Sequence, residues 1–100
     1  MEILFSKESF DDLDSIEEYL LRRWNEQVLD DFNYKLDRCI NIILEQSVVF
    51  QKYENTQYHK VLITKHNSLI YSIEKDILKI HRILQNFQNP DENYKNITEK

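Results

Sequence analysis

A chain of 100 residues with 41% hydrophobic and 31% charged side chains and a net charge of −5 has the composition of a globular protein, not of a disordered one. Its length fits one domain covering residues 1–100, and no apolar run approaches the ~20 residues that a membrane-spanning helix requires. The N-terminus has no basic region followed by an apolar core, so we expect no secretory signal, no membrane contact and a cytoplasmic location.

The first half of the chain predicts a short strand followed by two helices. Residues 3–5 are apolar, and Ser6 and Asn25 each stand where a polar side chain can cap the start of a helix. Apolar residues then recur at helical spacing, first at Phe10, Leu13, Ile16, Leu20 and Trp24 and then at Leu29, Phe32, Leu36, Ile40 and Ile43. Because the break between them is short, the helices should lie antiparallel and bury both stripes, with their aromatic residues mainly in the core.

The segment 58–90 predicts three strands joined by hairpins. Alternation with a period of two places on one face Val61 and Ile63, then Leu69, Tyr71 and Ile73, then Leu78, Ile80, Arg82 and Leu84. The breaks at 65–67 and 74–76 are short enough for tight turns, and in a chain without glycine we expect Asn67 and Asp76 to take the left-handed conformation.

The predicted fold class is α+β: a short N-terminal strand, a helical hairpin and then a three-stranded antiparallel meander packed on the helices. Residues 47–57 should form a connection, and residues 91–100 a frayed polar tail. Cys39 has no partner for an internal disulfide and lies near the second apolar stripe, so we predict a buried structural thiol and not a nucleophile.

Charge is divided unevenly along the chain. Residues 1–50 carry 12 acidic and 5 basic side chains, hence −7, whereas residues 51–100 carry 6 acidic and 8 basic, hence +2. The cations of the meander form either an ordinary solvated face or a surface for an anionic partner, with Lys60, Lys65, His66 and Arg82 as the target-binding candidates. Because the alternation places Arg82 in an apolar row, it is either a buried ion-pair member or the anion contact of a groove.

Short motifs follow one another in order over most of the chain. They are Phe5-Ser6, Asp12-Leu13, Ile16 and Tyr19-Leu20, then Lys65-His66, Leu69-Ile70-Tyr71, Ile80, Arg82-Ile83-Leu84 and Asn89-Pro90. This order resembles the ParE/RelE superfamily, the toxins of bacterial type II toxin–antitoxin and plasmid-stabilisation modules. The resemblance implies a cognate antitoxin as partner, with contact to DNA only through the toxin–antitoxin complex.

Two branches of the superfamily differ in chemistry. The resemblance implies that RelE-like members cleave messenger RNA on the ribosome, whereas ParE-like members bind and poison DNA gyrase. RNA cleavage by a 2′-hydroxyl needs an acid, a base and cations. The nuclease branch commonly has arginine where this chain has Asn67, and proton-exchanging groups where it has Gln85, Asn86 and Phe87. We therefore favour a ParE-like toxin that acts by protein binding, although ParE-like relatives carry His-Gly-Arg where this chain has residues 85–87.

Two alternatives stay open. The first is a ribosome-dependent endoribonuclease, for which His66, His81, Lys65 and Arg82 would be the catalytic candidates. The second is a relative without toxicity that retains only antitoxin binding. In each case an antitoxin segment should bind as a helix in a groove or as a strand added to the sheet edge. No residues have metal-ligand spacing and no glycine loop is present, so we expect no metal and no cofactor.

Overall fold

A computed structural model describes residues 2–45 and 57–85 of the chain. Its elements are β1 (Glu2–Phe5), α1 (Lys7–Arg23), α2 (Glu26–Leu44), β2 (His59–Thr64), β3 (Asn67–Glu74) and β4 (Ile77–Gln85). The predicted strand, helical hairpin and meander are therefore confirmed. The predicted tail and all of the predicted connection except Gln57 lie outside the described residues, and neither described helix is long and apolar enough to cross a membrane.

The four strands form one mixed sheet in the order β1-β4-β3-β2. Strands β2, β3 and β4 are antiparallel neighbours, as the meander predicts, whereas β1 runs parallel to β4 with Glu2 opposite Ile77 and Phe5 opposite Ile80. Alternation within a strand does not specify its neighbours, so the sequence predicted β1 but not this pairing. The helical hairpin and the first two strands of the meander separate the two paired strands along the chain.

Ser6 joins the first strand, the first helix and the last strand. Its Oγ accepts the Ser9 amide at 3.0 Å, which caps α1, and its hydroxyl donates to the His81 carbonyl at 2.7 Å. The Ser6 amide donates to the Ile80 carbonyl at 2.9 Å. Asn25 caps α2 in the same way, because its Oδ1 accepts the Val28 amide at 3.0 Å. Both predicted caps are confirmed.

The core lies between the helical hairpin and one face of the sheet. Its buried hydrophobic residues are Ile16, Leu20, Phe32, Leu36, Cys39, Ile40, Ile43, Ile63, Leu69, Tyr71, Leu78, Ile80 and Ile83. Four of the five residues of the predicted α2 stripe are thus core, and Leu29 is partly buried against it. In α1 only the middle of the stripe is buried: Phe10 at one end is 54% exposed and Trp24 at the other is 46% exposed, so placing these aromatic rings in the core was wrong.

A β-bulge in β4 displaces Arg82 from the apolar row. Tyr71 is paired with Ile80 but Ile70 is paired with Arg82, so His81 is an extra residue on β4. An extra residue reverses the alternation beyond it. Ile83 consequently enters the core, while the Arg82 side chain is 50% exposed. The prediction that Arg82 shares a face with Ile80 was wrong for this reason.

Asp12 of α1 binds the edge of β4 beyond the point where β1 ends. Its Oδ2 accepts the Ile83 amide at 2.9 Å and Arg82 Nε at 2.8 Å, and its Oδ1 accepts Arg82 Nη2 at 3.0 Å. The Asp12 side chain is only 16% exposed. One carboxylate therefore replaces a neighbouring strand for this stretch of β4 and attaches α1 to the sheet.

The left-handed turn position is Lys75. Its φ is 56°, and no other non-glycine residue in the described ranges has positive φ. The expectation for Asn67 and Asp76 was therefore wrong. Asn67 is instead the first residue of β3 and is 6% exposed. The β3–β4 turn needs one left-handed residue, and in this chain a lysine supplies it.

Replacing Asp12 should destabilise the fold more than replacing Arg82. Asp12→Ala removes the acceptor of the Ile83 amide and of the guanidinium, so we expect the free energy of unfolding to fall by about 2–3 kcal/mol. Arg82→Ala should cost at most about 1 kcal/mol, because Arg82 is half exposed and Asp12 keeps the Ile83 bond. Urea denaturation measures both. The control Asp14→Ala, an exposed carboxylate on the same helix, should lie within about 0.5 kcal/mol of the parent. Equal losses for Asp12→Ala and Arg82→Ala would contradict this.

Lys75→Asn should stabilise the protein. Asparagine tolerates the left-handed region better than lysine, so we expect a gain of about 0.5 kcal/mol, which corresponds to a rise in Tm of about 2–4 °C. Lys65→Asn is the matched control, because it makes the same change in the β2–β3 turn at a residue without positive φ. A similar gain from both variants would mean that charge removal, not backbone conformation, causes the effect.

Candidate functional site

Lys60 and Arg82 occupy one row across the sheet. Each is paired in register with Ile70, Lys60 from β2 and Arg82 from β4, so their Cα atoms stand about 10 Å apart. Lys60 is exposed, whereas Asp12 holds the Arg82 guanidinium and raises the pKa of Arg82, first through the hydrogen bond and then through its charge. The sequence left two alternatives for Arg82, a buried ion-pair member or the anion contact of a groove. In the structure Arg82 is an ion-pair member, but its side chain is half exposed.

His81 is held on the sheet by residues of two neighbouring segments. Its Nε2 lies 2.7 Å from the Ser72 Oγ, and the ring of Tyr58 meets the imidazole edge-on with 4.7 Å between ring centroids. Ser72 is 3% exposed, so its hydroxyl orients the imidazole from inside the sheet. Nearby, Lys79 Nζ binds Glu74 Oε2 at 2.8 Å. Sequence reasoning identified His81 but missed Ser72 and Tyr58, because the bulge creates their contact.

The β2–β3 turn holds Lys65 and His66. Thr64 Oγ1 donates to Asn67 Oδ1 at 3.0 Å and accepts the His66 amide at 3.0 Å, which orders the turn from within. Asn67 is paired in register with Gln85 at the end of β4. The resemblance implies nuclease groups at these two positions. This chain has a side-chain amide at each of them, and neither amide exchanges protons near neutral pH. Asn86 and Phe87 lie outside the described residues.

A cavity of about 360 Å³ opens between the ends of the two helices and the β2–β3 turn. Its apolar wall consists of Leu20 and Trp24 from the end of α1 and of Val28 and Phe32 from the start of α2. Val28 and Phe32 are four residues apart and lie on one face of α2, while Trp24, the residue that caps α1, donates its amide to the Leu20 carbonyl at 2.8 Å. Leu20 and Phe32 are buried while Trp24 is 46% exposed, which makes the cavity an apolar depression with an indole at its mouth.

Charged residues surround this cavity. Lys35 and Asp31 of α2 lie on it, with Lys35 Nζ bound to Asp31 Oδ2 at 2.9 Å, and Lys65 and His66 of the turn complete the lining on the sheet side. The structure therefore brings Lys65 and His66 together with Trp24 and Lys35, whereas Arg82 is bound to Asp12. Of the four predicted target-binding residues, Lys65 and His66 line this cavity, whereas Lys60 and Arg82 do not. Sequence reasoning missed the cavity because it depends on how two helix ends meet a hairpin turn.

His66 and His81 both favour the neutral form of the imidazole. Burial lowers the pKa of His66, and the neighbouring Lys65 charge lowers it further. Burial also lowers the pKa of His81, with Glu74 raising it and Lys79 lowering it to smaller extents. Near neutral pH, His81 is therefore an imidazole that can accept a proton. The cations that line the cavity are Lys35 and Lys65.

Two further titratable side chains, Cys39 and Tyr71, lie in the buried core. Burial raises the pKa of the Cys39 thiol to about 11, so it is not a nucleophile near neutral pH, in agreement with the prediction of a buried thiol. Burial, with a smaller effect of Cys39, raises the pKa of Tyr71 to about 12. Across residues 2–45 and 57–85, no group of three or more potential metal ligands lies together.

The His81 environment predicts a component of acid sensitivity. Its folded-state pKa lies below the unfolded value near 6.5, so its contribution to stability is complete above about pH 6.5 and is lost as the pH falls toward the folded-state pKa. We expect the free energy of unfolding to decline between pH 7 and pH 5, and to decline less in His81→Gln. Urea denaturation across this range measures both slopes. Equal slopes would contradict the assignment.

Comparisons with known proteins find similarity in fold, among solved structures, and not in sequence family. No family model matches the sequence, and no curated protein matches it. Solved structures match at low identity: a chain of the heterotetrameric YoeB–YefM toxin–antitoxin complex from Staphylococcus aureus has 18% identity and a TM-score of 0.64, with 87% of this chain and 98% of that chain covered.

Two further structures agree with the first. The YoeB/ParE toxin from Agrobacterium tumefaciens has 14% identity and a TM-score of 0.63, covering 87% of this chain and 100% of its own. A chain of the chromosomal ParDE toxin–antitoxin system from Pseudomonas aeruginosa has 16% identity and a TM-score of 0.60, covering 85% and 95%. The two helices and the mixed four-stranded sheet of this chain therefore form the fold that these three structures share.

Proposed function

We propose that this chain is the toxin component of a bacterial type II toxin–antitoxin system and that a cognate antitoxin neutralises it. The proposal is supported by the fold that it shares with YoeB, which was solved in complex with YefM, and with a chain of a ParDE system. On this proposal the protein is one domain covering residues 1–100, works in the cytoplasm without a cofactor, and meets DNA only through the toxin–antitoxin complex.

The proposed mode of action is ParE-like inhibition by protein binding. The observation that carries this choice is the pairing of Asn67 with Gln85, which puts two amides at the strand ends where RNA cleavage would need an acid or a base. Lys60, Lys65 and His66 remain candidates for target contact, with DNA gyrase as the first target to test. For Arg82, the ion pair with Asp12 supports a structural role instead.

Ribosome-dependent RNA cleavage is the second candidate function, and one observation favours it. His81 lies in a bulge, its Nε2 is 2.7 Å from a buried serine hydroxyl, and burial holds its pKa below the ordinary value. Bulges are frequent next to active sites because they reposition a side chain. A neutral imidazole oriented in this way can act as a general base. This candidate assigns the proton transfer to His81 and not to the strand end.

The toxin role is tested by expression in a bacterial host. Induction of the chain should arrest growth, and co-expression of the small open reading frame adjoining its gene should restore growth and yield a complex that co-purifies. Binding without growth arrest would identify a relative that retains only antitoxin binding. A neighbouring product that neither restores growth nor co-purifies would contradict the proposal.

The mode of action is tested in two purified reactions. We expect no codon-register cuts by primer extension in a ribosome-containing translation reaction, and inhibition of supercoiling when the chain is added to DNA gyrase. If cuts appear and His81→Gln abolishes them while His59→Gln, at another partly buried strand histidine, does not, the second candidate is correct. Failure to inhibit gyrase, with no RNA cut, would exclude gyrase as the target.

A further inference from the structure

The cavity at the junction of α1 and α2 is the strongest unexplained feature of the described structure. Of the four residues considered for RNA cleavage, only Lys65 and His66 line it. Its apolar wall comes from the end of α1 and the start of α2. At about 360 Å³ it lies within the range of sites that hold a ligand, roughly 300–1,000 Å³. It is large enough for one or two bulky apolar side chains and leaves much of the Trp24 ring in contact with solvent.

Charge around the cavity has the opposite sign to that of the surrounding helix layer. The cavity lining carries two lysines, Lys35 and Lys65, against the single carboxylate of Asp31. The exposed face of α1 before its last turn, in contrast, carries Glu8, Asp11, Asp14, Glu17 and Glu18, and the cations Arg22 and Arg23 lie in the last turn, beside Trp24. A partner with carboxylates is therefore repelled by the helix layer and attracted at the cavity, which is the arrangement that fixes where and in what orientation it binds.

The walls of the cavity suit a side chain and not an added strand. On the sheet side the lining is the β2–β3 turn, whose Thr64 hydroxyl bonds both the Asn67 side chain and the His66 amide. The Thr64 hydroxyl, the Asn67 side-chain oxygen and the His66 amide are thus already used within the turn. What the cavity offers is apolar surface from helix side chains together with ammonium groups at its margin, which matches an apolar side chain flanked by a carboxylate.

We infer that this cavity is the docking site of an acidic segment of the cognate antitoxin. Its apolar wall is formed by Leu20, Trp24, Val28 and Phe32, and Lys35 and Lys65 lie at its margin. The segment inserts an apolar side chain against Trp24 and places a neighbouring carboxylate near Lys65. The inference rests on the proposed function, because it names the surface at which the proposed partner binds. A small aromatic carboxylate is the other chemistry that fits, and the experiment distinguishes the two.

Trp24 is the natural reporter of occupancy, because it is the single tryptophan of the chain. The full chain is mixed with the protein from the adjoining open reading frame and with peptides that tile it, any tryptophan in them being replaced by phenylalanine. We expect the complete partner and one acidic peptide to shift Trp24 emission to shorter wavelength and to protect it from acrylamide quenching. A complex that leaves Trp24 emission and quenching unchanged would overturn the inference while the proposed function stands.

Two charge reversals in matched turns test the electrostatic part. Lys65→Glu should weaken antitoxin binding by about fivefold to tenfold and reduce its salt dependence. Lys75→Glu makes the same change in the β3–β4 turn, outside the cavity lining, and should leave the affinity within about twofold. Isothermal titration calorimetry measures both, and thermal unfolding checks that both variants fold. Equal weakening by the two reversals would mean that overall charge, not this cavity, governs binding.

Trp24→Ala tests the apolar part. A half-exposed tryptophan at a binding cavity should behave as a dominant contact, so we expect a loss of affinity of about thirtyfold with little change in Tm. Phe10→Ala removes a similarly exposed aromatic ring from the other end of α1 and should leave the affinity within about twofold. An unchanged affinity in Trp24→Ala would overturn the inference. So would phenylacetate, which does not fluoresce in the range of tryptophan, shifting Trp24 emission while no antitoxin peptide does, since the cavity would then be a small-molecule site.

Discussion

The attachment of Asp12 to the edge of β4 is the interaction on which the rest of this structure depends. A four-residue β1 covers only the first part of β4, and beyond it the strand needs another acceptor. Asp12 supplies that acceptor to the Ile83 amide and also binds Arg82 through two hydrogen bonds. Because Asp12 belongs to α1, the contact fixes the helix layer relative to the sheet.

The bulge in β4 and the Asp12 contact are two parts of one arrangement. The extra residue, His81, reverses the alternation so that Ile83 enters the core and Arg82 leaves the apolar row. Arg82 can then reach Asp12, while the Ser6 hydroxyl binds the His81 carbonyl at 2.7 Å. The same shift brings the His81 imidazole to Ser72. A local irregularity therefore sets both the main attachment of α1 and the environment of His81, whose imidazole contacts a buried hydroxyl.

Electrostatics divides the surface of the molecule into unlike regions. The acidic helix layer and the lysines of the turns belong to separate halves of the chain, yet the fold places Lys65 of a turn next to Lys35 and Asp31 of α2. A small cationic margin around an apolar depression results, on a chain whose net charge is −5. Local charge of this kind selects an anionic partner at short range even where the whole protein does not attract one.

The sequence by itself determined the elements, and the tertiary structure decided which residues meet. Helical spacing, the Ser6 and Asn25 caps and two-residue alternation depend on neighbours along the chain, so the helices, strands and α2 core were predictable. The bulge at His81, the parallel pairing of β1, the contact of Asp12 with Ile83 and the cavity at Trp24 depend on residues far apart in sequence. Periodicity assumes a regular strand, and a single extra residue was enough to reverse the predicted face of Arg82.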